Sequence, residues 1–263
     1  MHLKCHENLF GYLITLCDAE SCVRQILDWI VSGQIPKYLV CANPHSIIEA
    51  ESDPVFKEAI KNADLVIPDG IGIVIASKIL GGNIRKRISG SDIFYGVNRA
   101  LNNGQKYRSF FLGSTDKNLK DIEHKMTRMY PNIEIVGTYS PPFRSDFSLA
   151  ENRLMCEIIN RCRPDILWVG MGAPKQEKWI YQNKDHLEVK FICGVGALFD
   201  FFTGNVKRSP EFFLNNGLEW LIRLLREPRR LWRRNFISTP RFLLRILQTM
   251  RMELWLSINK RNR

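Results

Sequence analysis

No stretch of this 263-residue chain reaches the roughly 18 consecutive apolar residues that a membrane-spanning helix requires. The opening segment MHLKCHENLFGYLITLCDAE also lacks the marks of a signal peptide: its apolar patch is short, acids interrupt it, and no small-residue cleavage site follows. Histidine is scarce, with 5 in all, and no second histidine follows His6-Glu7 at the helical spacing of a His-Glu-x-x-His motif, so a metal site has no sequence support. The 7 cysteines include no Cys-x-x-Cys pair. An odd number without that motif or an export signal reads as reduced thiols in a cytosolic protein, not as a disulfide framework or a zinc site. A P-loop is missing, and so is an Asp-x-Asp pair of the kind that holds a divalent cation; Glu51-Ser52-Asp53 is the nearest approach, in a helical pattern. RNP, zinc-finger and helix-turn-helix signatures are absent, which counts against nucleic acid as a partner.

What the chain does have is a hydrophobic share of 45%, enough for a sizeable core, and an uneven charge. Positions 206–263 carry 14 Lys and Arg against 4 Asp and Glu, whereas positions 1–205 carry 24 against 23. Nearly all of the +11 excess therefore sits in the last fifth. Such asymmetry points to a phosphate-rich partner: nucleic acid, anionic lipid or a diphosphate.

Six short apolar runs read as buried strands, at 38–41, 65–67, 109–112, 133–136, 166–169 and 191–193, each ending in Gly, Pro, Asn, Asp or a similar breaker. Between them lie segments with helical spacing at 22–31, 71–80, 116–129, 149–161 and 176–183. This alternation predicts an α/β, Rossmann-like fold whose mostly parallel sheet is flanked by helices. Ligands of such sheets bind beyond the carboxyl ends of the strands. The composition shift near 204–210 divides the chain into an α/β core, 1–205, and a basic helical appendage, 206–263.

Four motifs stand at or after those strand ends. Pro68-Asp69-Gly70-Ile71-Gly72 is by default a turn, but here it follows a buried strand and leads into an apolar helix. It places a carboxylate at the sheet mouth, where partial burial favours general-base work. Gly170-Met171-Gly172-Ala173-Pro174-Lys175-Gln176 resembles a dinucleotide fingerprint without its third glycine and with Pro174 intervening, which discounts a nicotinamide cofactor. Its glycines still admit a ligand close to the backbone, and the helix N-terminus after them suits a phosphate, with Gln176 directed toward it. Lys175 reads either as a ligand contact or as a solvated charge. In Gly194-Val195-Gly196-Ala197-Leu198-Phe199-Asp200, the aspartate lies among aromatics, and is either hydrogen-bonded structurally or used for a ligand hydroxyl or base edge. Finally, the 218–234 block sets arginines, not lysines, around a short apolar helical face; the guanidinium fork matches phosphate bidentately. The stretch 241–258 mixes apolar residues with Arg241, Arg245 and Arg251, as an interfacial helix on an anionic membrane surface would.

Taken together these segments resemble the WecG/TagA/CpsF glycosyltransferases (glycosyltransferase family 26). The matching pieces are Ala42-Asn43-Pro44-His45-Ser46, the 64–72 segment, Ser89-Gly90-Ser91-Asp92, the 110–113 strand end, Gly137-Thr138-Tyr139-Ser140-Pro141-Pro142-Phe143, the 169–179 and 194–201 motifs and the 219–234 block, in family order. The resemblance implies an inverting, metal-independent transfer, without a cofactor, from a UDP-sugar donor to a polyprenyl-diphosphate-linked glycan acceptor. It implies an enzyme of bacterial surface or exopolysaccharide biosynthesis, peripheral on the inner face of the cytoplasmic membrane, with N-acetylmannosamine, glucose or a uronic acid as the sugar. On this basis Asp69 matches the general base, Asn43 and Gln176 match substrate-positioning residues, and Asp200 matches a residue near the nucleotide. Arg223, Arg230 and Arg233 match appendage arginines that stabilise the departing diphosphate. Cys41, Gly70, Gly72, Asp92, Tyr139, Gly170, Gly172, Lys175 and Gly196 complete the expected substrate-binding set. Two positions depart from many relatives: Cys41 stands where they carry threonine, and the Tyr139 loop continues Ser-Pro-Pro-Phe where they have Gly-Tyr-Phe. A homo-oligomer is compatible with the sequence. The rival reading, a basic membrane- or nucleic-acid-binding α/β module without catalysis, predicts neither UDP-sugar hydrolysis nor protection of the core by UDP.

Overall fold

A computed structural model describes residues 6–33, 35–206, 224–225, 232 and 234–261. The chain opens with an antiparallel hairpin, β1 (His6–Leu9) and β2 (Tyr12–Thr15), followed by α1 (Ala19–Ser32). Then come β3 (Lys37–Ala42), α2 (Pro44–Ser52), α3 (Pro54–Lys61), β4 (Leu65–Pro68), α4 (Ile71–Ile79) and α5 (Gly90–Leu101). The second half runs β5 (Tyr107–Gly113), α6 (Asp116–Met129), β6 (Ile133–Tyr139), α7 (Leu149–Cys162), β7 (Ile166–Gly170), α8 (Lys175–Asn183), β8 (Phe191–Gly194) and α9 (Leu198–Thr203). A π-helical turn, Arg234–Ser238, leads into the last helix, α10 (Thr239–Arg261).

All six predicted strands form one sheet in the order β4-β3-β8-β7-β5-β6, and every pairing in it is parallel. Both faces are buried, which is why its strands read as continuous apolar runs. On β3, Tyr38, Val40 and Ala42 join one core cluster while Leu39 and Cys41 pack with the other. On β7 the same alternation sends Leu167 and Val169 to one side, Ile166 and Trp168 to the other. Helix starts are set by side-chain caps: Asp18, Asn43, Asp53, Ser89, Thr115 and Ser148 each accept a backbone N–H two or three residues into the helix. Each such cap is worth about 1 kcal/mol. Asp53 is thus not inside a helix, as the sequence pattern suggested, but the junction between α2 and α3.

The hairpin turn places Phe10 (φ 57°) and Gly11 (φ 86°) in left-handed conformation, the geometry of a two-residue turn that follows strand twist. Phe10 thereby meets Phe242 of α10 edge-on, with ring centroids 5.4 Å apart. Phe242 and Ile246 are buried in the first core cluster, together with β2 and α2 residues. The expectation that the apolar residues of 241–258 face lipid is corrected for these two, which belong to the protein core. Leu243, Leu244, Leu247 and Trp255 are exposed. No helix among the described residues is long and apolar enough to cross a membrane. The proposed boundary at 205 falls next to Gly204, which ends α9 in left-handed conformation (φ 91°).

Candidate active site

Parallel register brings the carboxyl ends of β4, β3, β8 and β7 side by side. Cys41 pairs with Ile67 and Ala42 with Pro68, so the next residues, Asn43 and Asp69, leave the sheet as neighbours. The Asp69 amide donates to the Ala42 carbonyl at 2.8 Å, extending the pairing by one step. Asn43 caps α2 in a reciprocal box: its side chain accepts from the Ser46 amide at 3.1 Å, and its own amide donates to Ser46 Oγ at 2.7 Å. Gly70 follows Asp69 at φ 94°, ψ 148°, a conformation that non-glycine residues almost never take. Gly72 then lies so near Pro44 that a Cβ there would come within 2.5 Å of the proline ring. These two glycines let α4 start hard against α2, which keeps Asp69 and Asn43 together.

The β7 and β8 loops adjoin this pair, and Gln176 joins them. Its side chain is buried; Oε1 accepts from the Gly172 amide at 3.1 Å and the Gly196 amide at 3.0 Å, while Nε2 donates to Glu177 Oε1 at 2.8 Å. The side chain expected to face a ligand is therefore turned inward, where it fixes the two glycine loops relative to each other. A Cβ on Gly194 would fall 2.8 Å from Gln176 Nε2, and one on Gly170 would fall 2.3 Å from the Phe199 ring, so both glycines are required by close packing.

Beneath the mouth lies a buried acid that sequence reasoning passed over. Glu177 is 2% exposed, and its Oε2 has no hydrogen-bond partner among the described residues. Burial pushes its carboxyl up to about 7, against the opposing hydrogen bond from Gln176. The signal was available: α8 buries Gln176, Glu177 and Asn183 on the same face as Trp179 and Ile180, an unusually polar inner face. Cys41 sits close by, with a Cβ on Gly90 falling 3.3 Å from its Sγ. Burial, and then the charge of Asp69, hold the Cys41 thiol well above its ordinary value, so it stays neutral. Cys193 is raised likewise, by burial first and Glu177 second.

The remaining expected residues are engaged in contacts of their own. Asp92 completes the α5 capping box, accepting from the Ser89 amide and hydroxyl at 2.8 Å each. Asp200 accepts from Asn118 Nδ2 at 3.0 Å, and Asn118 in turn bonds Ser114 and Asn205, linking the loops after β5 and β8. Lys175 is not a solvated charge: Nζ donates to the Arg144 carbonyl at 2.6 Å and lies 4.0 Å from the Phe147 ring centroid, clasping the β6–α7 loop. Partial burial lowers its pKa. Tyr139 ends β6, the edge strand opposite β4. Five strand spacings put it about 24 Å from Asp69, too far for one sugar to touch both. Arg223, Arg230 and Arg233 lie outside the described residues. Among the described residues no three His, Cys, Asp or Glu side chains converge as a metal-binding group.

A sequence model of the Glycosyl transferase WecG/TagA/CpsF family matches residues 7–254, a span that includes every strand of the sheet and the whole mouth. The chain belongs to this family. A similar protein of Bacillus spizizenii strain W23, an N-acetylglucosaminyldiphosphoundecaprenol N-acetyl-β-D-mannosaminyltransferase, is 35% identical over 211 residues, covering 80% of this chain and 79% of the relative. Enzymes with the same name from Bacillus subtilis strain 168 and Staphylococcus aureus strain MW2 are 33% and 30% identical, over 83% and 81% of this chain and 82% and 81% of their own. As a WecG/TagA/CpsF member, the chain is a glycosyltransferase, and the row of polar and glycine residues lies at the carboxyl ends of its strands, where open α/β sheets bind their ligands.

Proposed function

We propose that this glycosyltransferase moves a sugar of the N-acetylmannosamine type from a UDP-sugar to a polyprenyl-diphosphate-linked sugar, in one inverting displacement at Asp69. The observation that carries the reading is the juxtaposition of Asp69 and Asn43 in adjacent register, beside two glycine loops braced by Gln176. The names of the relatives support the acceptor class and the sugar.

The Asp69 carboxylate takes the proton of the acceptor hydroxyl as its oxygen attacks the anomeric carbon. The bond between that carbon and the UDP oxygen breaks from the opposite face, and the diphosphate departs with the electron pair. Asn43 orients the sugar beside the base. The β7 and β8 loops receive the donor, since Gly172 and Gly196 present bare backbone there. Arg223, Arg230 and Arg233 supply the positive charge that the leaving diphosphate needs, without a metal ion. The basic appendage keeps the enzyme peripheral on the inner face of the membrane, where a polyprenyl acceptor resides.

Asp69→Asn keeps the shape and removes the base. The expected result is a loss of transfer of 10²-fold or more, on the order of a general base's contribution, with UDP binding and thermal unfolding unchanged. Near-normal turnover in that variant refutes the assignment.

A further inference from the structure

The α4 helix presents an unusual outer face. Its inner side buries Ile73, Ala76 and Ser77, yet Ile71, Ile75 and Ile79 are 39%, 45% and 46% exposed. Their i, i+4, i+8 spacing draws one apolar line about 12 Å long, beginning two residues after Asp69. At the far end Gly81 (φ 72°) reverses the chain. The returning loop is fixed in place: Glu7 Oε2 accepts from the Asn83 and Ile84 amides, Ser77 Oγ accepts from the Ile84 amide at 3.0 Å, and the Ile88 amide donates to the Pro68 carbonyl at 2.8 Å. That last bond returns the loop to the residue before Asp69. Between these anchors stand Arg85, Lys86 and Arg87, the first two exposed, with no acid anywhere from Gly81 to Gly90.

Three facts therefore converge at one edge of the mouth: a base for a sugar hydroxyl, a fixed basic triplet, and an exposed isoleucine line running outward. A single ligand with a sugar, a diphosphate and a long hydrocarbon chain matches all three in kind. We propose that the outer face of α4 and the loop after it seat the lipid half of the acceptor, the polyprenyl chain along Ile71, Ile75 and Ile79 and its diphosphate on Arg85, Lys86 and Arg87. This rests on the acceptor class proposed above and adds where its non-sugar parts bind. Charge complementarity favours this occupant over a second copy of the chain, because an interface between copies would bring two basic triplets together at a cost. It also divides the labour among cations: the triplet holds the acceptor's diphosphate, and the appendage arginines serve the donor's.

The test uses the full chain and two acceptors with the same sugar diphosphate, one on a short water-soluble alkyl group and one on a long polyprenyl chain in neutral detergent. The double variant Ile75→Gln, Ile79→Gln alters only exposed side chains. The expected result is a tenfold fall in kcat/KM for the long-chain acceptor with the short-chain value unchanged. Arg85→Gln with Lys86→Gln is expected to raise KM about tenfold for both acceptors while kcat holds. Equal loss on both acceptors in the isoleucine variant, or retained preference for the long chain, overturns the proposal. So does sedimentation showing that the isoleucine substitutions split a wild-type dimer while chain-length preference stays. Binding of a long polyprenyl diphosphate that lacks a sugar, followed by quenching of intrinsic fluorescence, is expected to be tenfold tighter for wild type than for the isoleucine variant. Equal binding overturns the proposal, and this readout stands even if neither acceptor proves to be a substrate, which would sink only the acceptor reading above.

Discussion

Replacing Glu177 by glutamine removes a buried charge while leaving the side chain's shape almost unchanged, and its consequence depends on pH. The carboxyl is raised from 4.5 to about 7 because burial penalises its charged form. In the unfolded chain it titrates near 4.5, so between 4.5 and about 7 the folded state holds a proton that the unfolded state has lost. Stability from this group is fully present below 4.5 and declines as pH rises to about 7, by an amount on the order of 3 kcal/mol. Glutamine carries no such proton. The variant and wild type should therefore unfold at similar urea concentrations at pH 4.5, and the variant should be the more stable by about 2–3 kcal/mol at pH 8. Urea titrations at both pH values, at fixed ionic strength, read this as a double difference, which cancels every other titrating group. Parallel profiles, with a double difference under about 0.5 kcal/mol, refute the idea that Glu177 is a buried acid without an ionic partner.

Gln176→Ala should leave the Gly172 and Gly196 amides without their acceptor and lower stability by about 2–4 kcal/mol; a urea titration measures this, and loss of activity without any loss of stability would return Gln176 to a direct substrate role. Phe242→Ala should cost about 3–5 kcal/mol, because the ring is buried against Phe10 and the first core cluster. A thermal melt unchanged by that substitution would mean that α10 does not pack on the core in solution.

The sheet was legible because parallel strands buried on both faces leave uninterrupted apolar runs, and because each run stops at a residue that ends a strand. The hairpin was not: β1 and β2 are four residues each, and the left-handed turn position that usually advertises itself as Asn or Asp is filled by Phe10. Helix α5 hides behind two glycines, and Gly96 is there because a Cβ would fall 2.7 Å from Val23 Cγ2, where α1 and α5 cross. At the site, the sequence located the strand ends but not their order. Gln176 bridges its own loop to the one after β8 only because β8 inserts between β3 and β7. No local pattern records that insertion, so the glutamine reads as a ligand contact when its geometry is that of a brace. For Asp200 the sequence left a structural hydrogen bond and a ligand contact both open, and one of its partners, Asn118, lies on α6, out of reach of any local pattern.

The ring pair of Phe10 and Phe242 joins residues more than two hundred positions apart. Contacts of such separation form late, after the intervening chain has been ordered. During synthesis the hairpin and α2 emerge early and must wait, with the apolar surface that receives Phe242 and Ile246 still open to water. Completion of α10 is thus also a sealing step. A ribosome that stalls, or a protease that clips before it, leaves a chain marked for quality control by a sticky face rather than a quiet, half-finished enzyme.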